Sequence, residues 1–159
     1  MKTYAKTVMA AWLFGLSALL QAQTLDLVNF QDQWGNAQNL NPETRWLVIS
    51  RAMSSGDIVK DTFDALSIED PQKYDMLYVA DISGMPGLIS KFVALPKMRN
   101  YAFPIALARE KGQLTDMGIP LEEPEWITVL TLQSLEIEGV ESFNDPASFS
   151  AFLRESVLQ

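Results

Sequence analysis

Two compact β-rich runs, "RWLVIS" from Arg45 and "MLYVADIS" from Met76, limit what this chain can fold into. Successive apolar residues leave a strand no polar face, so each run reads as a strand covered on both sides. Each run also leads into a segment with helical spacing. Ile58, Val59, Phe63 and Leu66 share one helical face after the first, and Leu88, Ile89, Phe92 and Val93 share one after the second. Strands alternating with helices predict a layered α/β domain.

The remaining segments complete the pattern. "TLDLVNF" predicts a short first strand, and "NAQNLNPETR" is a turn-forming stretch. Pro86 belongs to the first turn of the second helix, and Pro96 stops or kinks it. "AFPIALAREKGQLTDMG" predicts a strand from Ile105, a turn at Lys111-Gly112 and another strand. "WITVLTL" and "LEIEGVESF" are further strands, and Asp145 with Pro146 opens a last helix with Phe149, Phe152 and Leu153 inward. The closing strands make the sheet mixed. The expected architecture is a three-layer α/β sandwich with a mixed central sheet and helices on both faces.

Residues 1–22 read as a separate object. Lys2 and Lys6 precede an apolar run from Val8 to Leu20, and Ala22 is a small residue before a cut. This is the pattern of a cleavable signal peptide, and the run is short for a membrane span. Residues 23–159 then form one domain, exported to the periplasm, with no stable membrane insertion after cleavage. Acidic residues outnumber basic ones by 20 to 12, which argues against nucleic acid as a partner.

The turn after the first β-rich run holds Ser54, Ser55, Gly56 and Asp57. Ser54 is expected to cap the helix, with Asp57 three residues on in a variant of the capping box. In strand order the chain resembles the thioredoxin-like fold, over nearly all of residues 23–159. "WLVISRAMSSGD" resembles the strand and turn that carry the family's C-x-x-C motif. "AFPIALAREKGQL" resembles the strand after its cis-proline with the following hairpin, and "NDPASFSAFLRESV" its last helix. The resemblance implies that Ser54 and Asp57 stand in the cysteine positions and that Phe103-Pro104 is a cis bond facing them. The "VADISGMP" and "LPKMR" segments are also similar to those of uncharacterised exported bacterial proteins, some of which carry flavin-dehydrogenase names. No G-x-G-x-x-G follows any strand here to support a flavin or dinucleotide.

The sequence contains neither cysteine nor histidine. Thiol–disulfide exchange is therefore closed, as are a Ser-His-Asp triad and the usual zinc sites. A carboxylate of ordinary pKa at Asp57 is a poor base for Ser54. Asp57, Asp61 and Asp64, and likewise Glu122, Glu123 and Glu125, read as solvated acidic faces. "KMRNYAF" reads as a helix end whose cations suit the C-terminal dipole. No catalytic residue, metal or cofactor is expected. The expected role is a redox-inactive binding or accessory module for a peptide or protein partner in the cell envelope. Its site would comprise Met53, Ser54, Ser55, Asp57, Phe103 and Pro104. The alternative is an enzyme using carboxylates or a bound cofactor, such as a flavin-linked oxidoreductase.

Overall fold

The computed structural model describes residues 22–159, so the segment read as a signal peptide lies outside the described residues except for Ala22. A seven-stranded sheet forms the centre, in the order β2-β1-β5-β4-β3-β6-β7. β3 (Trp46–Ser50) and β4 (Met76–Asp81) are the two β-rich runs and pair in parallel; β4 pairs in parallel with β5 (Ala106–Ala108). β6 (Ile127–Gln133) runs antiparallel to β3 and forms a hairpin with β7 (Glu136–Phe143). β1 (Val28–Gln31) runs antiparallel to both β5 and β2 (Ala37–Leu40). The sheet is mixed, as the sequence predicts.

All five residues of β3 are buried because both faces of the sheet are covered. Val48, Tyr78 and Val129 point to one core, with Val59 and Phe63 from α1 (Met53–Ala65). Phe149, Leu153 and Val157 from α4 (residues 146–157) complete it. Leu47, Ile49, Val79 and Leu130 point to the opposite core. There Leu25, Phe30 and Leu40 meet Leu114 of α3 (Gln113–Asp116). Helices thus lie on both faces, unequally. α4 starts as its sequence dictates: Asp145 accepts the Ser148 N–H at 2.9 Å, and Pro146 follows it. The hydrogen bonds from Ser148 hold the Asp145 carboxyl below its ordinary value.

Three elements depart from expectation. The turn-forming stretch contains β2, whose alternating exposed and buried residues are Ala37, Gln38, Asn39 and Leu40. The segment after Gly112 is the short helix α3 and not a strand, so β5 has no hairpin partner after it.

The third departure is α2, a continuous helix over residues 87–98 that runs through Pro96. Pro96 has no N–H to give. The turn over Ser90–Ala94, just before it, is widened so that the Leu95 N–H reaches the Ser90 carbonyl, five residues back. One extra residue per turn rotates the later face by about 100°. The helix consequently seats Ala94, Leu95 and Met98 inward and leaves Leu88, Ile89, Phe92 and Val93, the expected buried face, exposed. No helix among the described residues is long and apolar enough to cross a membrane.

Candidate functional site

A small cleft opens at the carboxyl ends of β3 and β4. That edge is where ligands commonly bind in open α/β sheets. Its floor is Ser50 and Tyr78, the last residue of β3 and a neighbour on β4, whose hydroxyls share a hydrogen bond of 2.8 Å. Burial pushes the Tyr78 phenol well above its ordinary value, with the Ser50 bond opposing. The pair is neutral at physiological pH and can donate or accept.

One wall is the start of α1, through Met53, Gly56 and Asp57; the facing wall is Met85, Ala94 and Met98. Three methionines make these walls soft and adaptable. At the mouth, Lys97 Nζ meets Asp57 Oδ1 at 2.8 Å, and Tyr101 stands beside them. The hydrogen bond to Asp57 raises the Lys97 pKa despite partial desolvation. Burial raises that of Tyr101, against the pull of Lys97 and Lys60.

The expected site residues separate. Met53 and Asp57 line the cleft. Ser54 is exposed and does not, so the cleft-facing positions three apart are Met53 and Gly56 and not Ser54 and Asp57. Nor does Ser54 cap the helix. The N-cap is Ala52, and the capping hydroxyl belongs to Ser55, fully buried at the third helical position. Ser55 Oγ accepts the Ala52 N–H at 3.2 Å and lies 3.0 Å from the Pro124 carbonyl, to which it donates. Ser54→Ala should therefore change stability by less than about 0.5 kcal/mol. Ser55→Ala should cost about 1–2 kcal/mol. Urea unfolding of both variants checks the assignment, and equal losses would overturn it.

Phe103 and Pro104 require the larger correction. The Phe103-Pro104 bond is trans, as is every peptide bond among the described residues. The Phe103 ring is fully buried, 4.9 Å from that of Phe63, and Pro104 does not line the cleft. Nor is the backbone there free to receive a peptide. The Gln33 side-chain amide donates to the Phe103 carbonyl and accepts the Ile105 N–H, each at 2.8 Å. The proline that precedes the closing hairpin is Pro124, ahead of β6. Its loop reaches the start of α1 through Ser55 and through Arg51, whose guanidinium donates to the Glu122 carbonyl. The signal for it was in "EEPEWITVL", a proline before a β-rich run with a hairpin behind it.

Away from the cleft, Asp32 is buried and accepts the Trp34 and Asn36 N–H groups. Lys60 pairs with Asp64 at 2.7 Å, and no three candidate metal-ligating side chains gather among the described residues. Comparison with solved structures places this architecture. The thioredoxin domain of a thiol-disulfide oxidoreductase from Bacteroides vulgatus superposes with a TM-score of 0.54 at 10% identity, over 87% of this chain and 99% of that one. The fold is thioredoxin-like.

StoA from Bacillus subtilis matches with a TM-score of 0.55 at 12% identity, over 82% of this chain and 98% of that one. A SCO1/SenC family lipoprotein from Bacillus anthracis matches with 0.54 at 8% identity, over 87% and 97%. Likeness at such identities carries the thioredoxin-like fold alone. No protein-family model matches the sequence, and no curated protein matches it either. This thioredoxin-like chain has no cysteine, so thiol exchange is closed to it.

Proposed function

We propose that this is an exported, redox-inactive accessory module that holds a peptide or protein partner in the cell envelope. The observation that carries the reading is the cleft itself. On a thioredoxin-like scaffold without thiols, the start of α1 faces a methionine-rich wall over a neutral hydroxyl pair. Such a site suits an apolar side chain and one hydrogen-bonding group. We assign binding to Met53 and Asp57 at the mouth, with Ser55 shaping the α1 start. The enzyme reading has no observation in its favour: Asp57 is paired with Lys97, and Asp81 accepts the Ser83 N–H.

Export rests on residues 1–22, with a cut before Gln23. Gln23 suits a first residue of the domain. Its carbonyl accepts the Ile137 N–H at 2.8 Å, and its side chain donates to the Gly118 carbonyl at 2.6 Å. N-terminal sequencing of the soluble envelope fraction should begin at Gln23; a product beginning at Met1 in the membrane would sink the export claim.

Gly56 gives the test of the cleft. A Cβ there would lie 3.7 Å from Ser50 Oγ and 3.8 Å from the Tyr78 hydroxyl, so a side chain is admitted but fills the cleft. A photo-crosslinking residue at Met53 should capture one discrete partner in cells, and Gly56→Leu, checked for an unchanged Tm, should abolish capture. The same probe at Thr115, exposed on α3, is the control. Equal capture from both positions would refute the proposal.

A further inference from the structure

Exposed apolar side chains are concentrated on α2. Leu88 is 73% exposed, Phe92 65%, Val93 53% and Ile89 44%. Leu88 with Phe92, and Ile89 with Val93, are i, i+4 pairs and form one stripe. The stripe is adjacent to the cleft, because Ala94 and Met98 of the same helix line the cleft wall. Met53, half exposed, stands on the opposite wall of the cleft. An exposed apolar stripe beside a cleft marks a docking site.

The charges around it select the occupant. Between Asp81 and Glu110 the sequence carries Lys91, Lys97, Arg99 and Arg109 and not one acid, although acids outnumber bases over the whole chain. Lys91 is exposed within the stripe's helix, its Nζ 5.7 Å from the centre of the Phe92 ring. Lys97 stands at the cleft mouth, and its single acidic partner, Asp57, comes from α1. Asp57 and Asp81 line the cleft beside Arg51 and Lys97, so the cationic character lies on the stripe's helix, where Lys91 forms no ion pair among the described residues. An exposed cation beside apolar residues complements an acidic apolar ligand and disfavours a basic one.

We infer that the α2 stripe and the cleft together bind an amphipathic, acidic segment of a partner protein, with apolar residues against Leu88 and Phe92 and carboxylates toward Lys91. This names the partner's chemistry and rests on the reading of the cleft as a partner site. The helix-in-groove mode suits the geometry, since a partner helix can lie along the stripe and insert one side chain between Met53 and Met98.

The test uses a fluorescent helical peptide with leucines on one face and glutamates on the other, alongside the same helix with lysines for glutamates. The glutamate peptide should bind the full domain about tenfold tighter than the lysine peptide, and raised salt should erode that preference. Leu88→Ser with Phe92→Ser should abolish binding at unchanged Tm, because both residues are exposed. Lys91→Glu should narrow the preference severalfold. Equal binding of the two peptides overturns the inference. So does binding only to vesicles containing phosphatidylglycerol, or dissociation of a pre-existing dimer by the two serine substitutions. If Met53 crosslinking survives the serine substitutions, the inference falls and the cleft reading stands. If the glutamate peptide binds the stripe but Met53 captures nothing in cells, the cleft reading falls instead.

Discussion

Gln33→Leu should lower the unfolding free energy by about 2–6 kcal/mol, a large part of what a domain of this size possesses. Gln33 is almost fully buried in the turn after β1. Its side-chain amide spans to the segment behind the cleft, meeting the Phe103 carbonyl and the Ile105 N–H at 2.8 Å and the Met98 carbonyl at 3.2 Å. Leucine fills similar space but leaves two of these groups orphaned. The Met98 carbonyl is spared, since the Tyr101 N–H also binds it. An unpaired buried backbone group costs about 1–3 kcal/mol. The turn would also lose purchase around it, where Arg99 donates to the Gln33 carbonyl and Trp34 to the Arg99 carbonyl. Urea unfolding should show the midpoint falling with the slope unchanged. A loss under about 1 kcal/mol would mean that the clamp is not a structural tie.

Phe103→Ala should cost about 3–5 kcal/mol, the range for emptying a buried aromatic site. The ring is fully enclosed and packs edge-on to Phe63, with the rings of Tyr101 at 5.6 Å and Tyr78 at 6.2 Å. Phe103→Leu should recover most of the loss. This pattern separates a core residue from a recognition residue: a side chain that served only a partner would tolerate alanine in the free protein. Thermal unfolding of the isolated variants decides it, and a Phe103→Ala protein of normal Tm would return the residue to the binding surface.

What was legible in the chain followed from local rules. The runs at Trp46 and Met76 announced strands covered on both sides because their apolar residues leave no wet face. Val59 and Phe63 announced the inner face of α1, and Asp145-Pro146 the start of α4. Two of the misreadings turned on a partner distant in sequence. Pro104 and Pro124 both precede β-rich runs, and only strand pairing separates them. β5 joins β4 in parallel, while β6 joins β3 in antiparallel and brings its proline to α1. Ser54 and Ser55 are both competent caps, and Ser55 is the one that accepts the Ala52 N–H and lies within reach of the Pro124 carbonyl. The outward stripe of α2 follows from a widened turn that periodicity does not register. Gln33 had no local signal, since its amide works on groups about seventy residues away.

The two margins of the sheet bear on how this molecule behaves in a crowded compartment. β2 is four residues long, and β7 exposes Glu136, Glu138 and Glu141. A bare strand edge is a template on which another chain can add, and short length and charge are the usual deterrents. Carboxylates set opposite carboxylates repel, so two copies of β7 resist zipping together. A chain with no disulfide to limit its excursions is protected here by its margins. It can expose the apolar face of α2 without being drawn into fibrils through its strands.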